Sequence, residues 1–136
     1  MDVQKSEKKM EVEQHVKTAE QFFRIAERKF EDEDYYNVTS LCKQAIANNP
    51  PEAKYYLLMG KAYARHPRFL KDAEVSFQKA IELDPWNPDF HIDLAEFYSS
   101  QGLSLRAVNE CKKAISIAPG HQRAQELLGT LKSRDK

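Results

Sequence analysis

Apolar residues recur along most of this chain at intervals of three and four, the spacing that lays one stripe along a helix. The pattern is clearest between Ala53 and Asn87. Tyr56, Met59, Gly60 and Tyr63 form one stripe, and Ala73, Phe77, Ala80 and Ile81 form a second. Asp84-Pro85 ends the second stripe, because proline disfavours helical backbone in the residue before it. The stretch therefore predicts helix, tight turn, helix and a proline-bearing turn.

The same unit is copied on either side. Ala26, Gly60, Ala95 and Gly129 lie 34, 35 and 34 residues apart. Ala45, Ala80 and Ala114 keep the interval, each followed by isoleucine, and so do Pro50, Pro85 and Pro119. Val38, Ala73 and Ala107 make a fourth column, and Cys42, Phe77 and Cys111 a fifth. Columns at one fixed period identify a helical repeat, with small residues where helices must approach closely. In repeat one, Phe22, Ile25, Ala26 and Phe30 mark the first helix, and Tyr35, Val38, Leu41, Cys42, Ala45 and Ile46 the second. Repeat three keeps the columns with Leu94, Ala95, Tyr98, Ala107, Cys111, Ala114 and Ile115.

The order of residues resembles the tetratricopeptide repeat (TPR): aromatic, Leu-Gly, Tyr, then Ala, aromatic, Ala and Pro. The resemblance covers about residues 19 to 132. It implies an all-α, right-handed α-α superhelix of three helix-turn-helix repeats plus a C-terminal capping helix. Repeats are expected at about 19–52, 53–87 and 88–121, with the cap at 122–132, inside a domain spanning 13–132. Residues 1–12 read as a polar extension or linker, with helix starting near Lys8 or Val12, and 133–136 as a frayed tail. The wording of repeats two and three also resembles C-terminal TPR modules of bacterial multidomain proteins, some with a J or receiver domain upstream.

Local signals refine the elements. Asp34 is a candidate N-cap, since its carboxylate can accept unpaired backbone N–H groups. The run Glu31-Asp32-Glu33-Asp34 lacks the glycine-punctuated alternation of a calcium loop. Repeat two has one extra residue, placed at His66-Pro67-Arg68-Phe69 because Pro67 cannot sit inside a helix. The first helix there should end near Arg65 or His66, the second should begin near Leu70, and Phe69 should close onto the core. The basic turn Arg65, His66, Arg68, Lys71 reads as a solvated loop or as a contact for a small anion or partner. Gly102 should take a left-handed turn, Trp86 should pack between repeats, and His91 should be a satisfied, buried ring. In the cap, Gly129 should fill the small position, while Arg123, Gln125 and Lys132 turn polar groups outward.

Charge narrows the partners. The chain has 21 basic and 21 acidic residues, a formal net charge of zero. A phosphate backbone or anionic membrane demands a basic face, so neither nucleic acid nor membrane is the expected partner. Charged residues, 31% of the chain, interrupt every apolar run, and no run reaches the ~18 residues of a membrane span. The start lacks a secretory core, so the expected location is cytoplasmic. Cys42 and Cys111 hold equivalent places two repeats apart, on the order of 20 Å at usual helix spacings and beyond disulfide reach. They read as buried thiols.

No phosphate loop, paired-cysteine motif, HExxH or triad recurs, so no enzyme, metal or cofactor is expected. The resemblance instead implies a protein–protein interaction module whose first helices line a concave groove for a peptide or partner segment. Carried over, Phe23, Leu57 and Ile92 make an apolar stripe, flanked by Arg24, Glu27, Leu58, Lys61, Arg65, Asp89, Asp93 and Glu96. The family's carboxylate clamp for chaperone tails would fall on Phe23, Glu27, Leu58, Asp89 and Asp93, which have the wrong chemistry. A ligand basic near repeat three and acidic near repeat two suits the charges better. The alternative is a structural or self-association module with no ligand of its own; a monomer is the expected state.

Overall fold

The computed structural model describes residues 19–48 and 51–134. Expectations for 1–18, including the polar extension and the helix start near Lys8 or Val12, lie outside the described residues, as do Pro50 and the last two residues of the tail. Helix α1 runs over 19–31. Then come α2 (Tyr35–Asn48), α3 (Ala53–Tyr63), α4 (Leu70–Leu83), α5 (Pro88–Ser100), α6 (Ser104–Ile117) and α7 (Gln122–Arg134). A 3-10 turn, Pro67–Phe69, precedes α4. Among the described residues there are seven helices and no strand.

From α2 onward each helix packs on the next in sequence, and α5 also meets α7. That is the contact pattern of a one-dimensional stack. The core is accordingly divided along the chain. Ala19, Ala45 and Tyr55 form one cluster; Ala26, Val38, Cys42, Met59 and Ala62 form the next. The third joins Ala73 and Phe77 to α5, α6 and the cap residues Ala124 and Leu131. The small columns are the seams: Ala26, Ala45, Ala80, Ala95 and Ala114 are fully buried. Both cysteines are free and buried, and burial pushes the Cys42 thiol up to about 12.

The turns inside the hairpins differ for a backbone reason. Gly102 has φ +76°, and Glu33, its equivalent two repeats earlier, has φ +62°. The matching residue of repeat two is Pro67. Its ring holds φ near −65°, so the left-handed turn is closed to it. The chain instead stops α3 at Tyr63, two residues before the expected end, and spends the extra residue on the 3-10 turn. His66 caps that turn, its Nδ1 accepting the Arg68 N–H at 3.2 Å.

Other expectations need correction. Trp86 is 77% exposed rather than packed between repeats, because it sits at the outside of the α4–α5 turn. Gly129 is exposed with nothing near its missing Cβ, since no described helix follows to press on α7. Phe69 is only partly covered, its ring 5.6 Å from that of Tyr63. Asp34 sits just before α2, its carbonyl accepting from Val38 at 3.2 Å. Its carboxylate is engaged by the Asn37 side-chain amide at 2.6 Å. Tyr55, outside the predicted stripe of α3, is nonetheless fully buried. A helix packed on two neighbours buries a wider arc than one stripe.

His91 is buried with its ring satisfied. Nδ1 lies 2.8 Å from Glu110 Oε2, and Nε2 lies 3.3 Å from the Pro85 carbonyl. Lys113 donates to the other Glu110 oxygen at 3.0 Å. This network ties the α4–α5 turn to α6 through α5. Burial works to raise the Glu110 carboxyl, but hydrogen bonds from His91 and Lys113 and their nearby charges outweigh it and leave the group below its ordinary range.

Candidate functional site

Residues of α1, α3, α5 and α7 line one groove of ≈ 790 Å³, which Phe77 of α4 also reaches. Phe30, Leu57, Phe90 and Phe97 supply rings and apolar surface. Lys61 and Arg65 stand on the α3 side, and Asp89, Asp93 and Glu96 on the α5 side. The helical period explains most of this grouping: positions 57 and 61, like 89, 93 and 96, recur every three or four residues and share a face, and Arg65 follows in the turn after α3.

The acidic face is already answered from within. Arg123, at the start of α7, lies 2.9 Å from Glu96, 3.3 Å from Asp93 and 4.0 Å from Asp89. His121 Nε2 lies 2.6 Å from Asp89. The His121 Nδ1 accepts the Ala124 N–H at 3.3 Å, which assigns the ring proton to Nε2 and makes it the donor to Asp89. Arg123 therefore turns inward over the groove rather than outward as expected for the cap. Burial raises the Asp93 carboxyl, and Lys61 and Arg123 pull only part of that shift back.

Of the residues expected on the groove, Leu57, Lys61, Arg65, Asp89, Asp93 and Glu96 come together there. Ile92 does not: α5 is enclosed by α4, α6 and α7, and Ile92 is fully buried. Phe23 packs on Tyr55 at 5.4 Å between ring centroids, with the Lys54 ammonium 4.8 Å from its ring. Leu58 joins the repeat-one core cluster. Arg24 is exposed beside Glu20 at 3.9 Å, and Glu27 is exposed. Sequence reading missed Phe30, Phe90, Phe97 and Arg123 as lining residues. Phe90 follows Asp89 one position along, a shift of one helical step that a stripe assignment could have included.

The charges on the two sides differ in status. Among the described residues no carboxylate lies within 4.0 Å of Lys61 or Arg65. The Arg65 guanidinium instead rests 5.8 Å from the Phe30 ring and 5.7 Å from the Tyr35 ring. Also among the described residues, no three side chains form a candidate metal site, and no helix is long and apolar enough to cross a membrane.

This stack of helical hairpins with a lined groove is the architecture of a repeat scaffold. The family model for the tetratricopeptide repeat matches residues 70–131. No curated protein matches the chain. Solved structures do. The Arabidopsis OM64 TPR domain aligns with a TM-score of 0.77 at 17% identity, covering 88% of this chain and 98% of that one. The first TPR of Spaghetti (RPAP3), bound to the HSP90 peptide SRMEEVD, gives 0.76 at 13%, with 88% and 94% covered. The Yersinia enterocolitica type III secretion chaperone SycD, in complex with a peptide of the translocator YopD, gives 0.75 at 16%, with 88% and 96% covered. The chain has the all-α fold of a tetratricopeptide-repeat superhelix.

Proposed function

We propose that the protein is a non-catalytic adaptor whose groove receives an extended peptide or a segment of a partner protein. The observation that carries this reading is the groove itself: ≈ 790 Å³, walled by Phe30, Leu57, Phe90 and Phe97, with no carboxylate within 4.0 Å of Lys61 or Arg65 among the described residues. Apolar surface of this kind gains by burial, and a positioned cation selects what is buried beside it. Two of the similar folds hold peptides, which supports the class of ligand.

The ligand's polarity follows from the charges. An acidic group belongs at Lys61 and Arg65. The basic end anticipated at repeat three is redundant while Arg123 pairs Asp93 and Glu96. A chaperone-tail carboxylate remains a poor fit, since Phe23, Glu27, Leu58, Asp89 and Asp93 offer it no donor set.

Affinity capture of partners followed by titration of the recovered segment tests the reading. Lys61→Glu should weaken binding roughly tenfold, the scale of one lost charge-assisted contact. Light scattering should give a monomer. Binding unmoved by Lys61→Glu, or a dimer that closes the groove, would favour the structural module instead.

A further inference from the structure

The turn between α3 and α4 carries a second cavity, ≈ 400 Å³. Tyr35, Tyr63 and Phe69 wall it with rings, and Lys43, Arg65 and His66 bring polar groups to it. The insertion in repeat two builds this place. The 3-10 turn forced by Pro67 sets Phe69 5.6 Å from Tyr63 and 5.3 Å from the His66 ring. At Glu33 and Gly102 the corresponding turns are left-handed rather than 3-10.

The cations are already placed. Lys43 Nζ lies 5.9 Å above the Tyr63 ring, and the Arg65 guanidinium 5.7 Å from the Tyr35 ring. His66 Nδ1 is taken by the Arg68 N–H, which assigns the neutral ring's proton to Nε2 as a further donor. Among the described residues no carboxylate lines the cavity. Among the described residues, Lys43, Arg65 and Arg68 have none within 4.0 Å. The acidic run 31–34 precedes Tyr35 in the chain, but its Asp34 is occupied by Asn37. Lys71, beside the turn, is 3.9 Å from Glu74.

We propose that this cavity is a second docking site, adjoining the groove at Arg65, which lines both, for a partner polypeptide segment that carries an aromatic side chain beside a carboxylate. The rings bury the aromatic group, and Lys43, Arg65 and the His66 Nε2–H receive the carboxylate. A purely apolar segment would cover two cations without pairing them, which costs free energy. A basic segment would be repelled. The volume sits at the low end of small-ligand clefts, roughly 300–1,000 Å³, and suits one or two side chains rather than a helix. Tyr36, 83% exposed at the rim, offers one more ring without a core duty.

The test is a chemical-shift titration of the full chain with three terminally blocked peptides: Ser-Asp-Phe-Glu-Ser, Ser-Asn-Phe-Gln-Ser and Ser-Asp-Ala-Glu-Ser. The first should give saturable shifts at Thr39, Lys43, Tyr63, His66 and Phe69. The neutral and ring-less peptides should each bind roughly tenfold more weakly. Lys43→Glu, an exposed position, should abolish the shifts with an unchanged melting temperature, whereas Lys61→Glu in the groove should leave them intact. Shifts at Phe90, Asp93 and Phe97 instead, equal binding of all three peptides, or no saturation would overturn the proposal. Because Lys61→Glu probes only the groove, either site can fail without the other.

Discussion

A Cβ on Gly60 would lie 3.1 Å from the Phe77 ring, closer than ordinary packing allows. These two residues are the small and variable columns of one repeat, and they share one volume. Repeats one and three solve the same crossing with Ala26 and Cys42, and with Ala95 and Cys111, all fully buried. Repeat two instead takes the smallest residue opposite the largest. Gly60→Ala should therefore destabilise by overpacking, about 1–3 kcal/mol, partly offset by about 1 kcal/mol of helix propensity. Phe77→Cys should cost about 3 kcal/mol through the cavity it leaves. The double variant recreates the alanine–cysteine pair, so the two losses should not add. A double-mutant cycle by urea denaturation should give at least about 1 kcal/mol of favourable coupling; strict additivity would show that the two sites do not share space.

Glu33 holds φ +62° in a turn where its equivalent, Gly102, holds φ +76°. A side chain in the left-handed region costs about 1–2 kcal/mol, and glycine does not bear it. Glu33→Gly should raise stability by roughly 1 kcal/mol after its larger unfolded-state entropy is subtracted. Gly102→Ala should lower it by a similar ~1 kcal/mol. Nothing lies within 4 Å of the Cβ that Gly102 lacks, so that loss is a backbone effect. Thermal melts of the two variants moving in opposite directions check the claim.

The stack was legible because its signal is repetition. Ala26, Ala95, Ala45, Ala80 and Ala114 recur at one period, and every one is fully buried. What periodicity could not supply was the environment of positions where the stack ends or bends. Ile92 and Leu57 hold matching places, yet α7 closes over α5 and buries only the first. Gly129 keeps its column but has no described neighbour to admit. Arg123 reads as outward-facing on a cap, and only the arrangement of α5 against α7 brings it to three carboxylates. The candidate groove was thus half legible: Lys61 of α3 and the α5 acids fall on helical faces in sequence, while Arg123 depends on tertiary packing. The cavity at the 3-10 turn depends on Pro67 refusing a left-handed conformation, a consequence visible only when repeats one and three supply the comparison.

Acid should loosen repeat three first. The Glu110 carboxyl is held below its ordinary value of 4.5 by His91 and Lys113 despite burial. The folded chain therefore binds that proton less readily than the unfolded chain. Its contribution is fully present above about pH 4.5 and is lost as pH falls through the lower folded value. Asp93 acts in the opposite sense, since burial raises its carboxyl and protonation relieves the penalty as pH falls. Glu110→Gln should flatten the loss of stability below pH 4.5, and Asp93→Asn should steepen it. Denaturation midpoints across the acid range read both slopes, and equal slopes in the two variants would refute the assignment.

Removal of Arg123 exposes the last consequence of the α5–α7 contact. Arg123 is the cation that Asp93 and Glu96 meet at 3.3 and 2.9 Å. Arg123→Ala leaves Asp93, 9% exposed, with Lys61 as the remaining nearby cation. An abandoned buried acceptor costs roughly 1–3 kcal/mol, and α7 should exchange its amide hydrogens faster relative to α3 and α4. The same change turns the α5 side of the groove acidic. A lysine-containing peptide that ignores the parent protein should then bind Arg123→Ala, with shifts at Asp89, Asp93 and Glu96. The double variant Asp93→Asn, Arg123→Ala removes the buried charge together with its partner, so it should recover stability while losing most of the gained affinity for the basic peptide. A basic peptide that binds parent and variant alike would mean that Arg123 does not occupy the acidic face in solution.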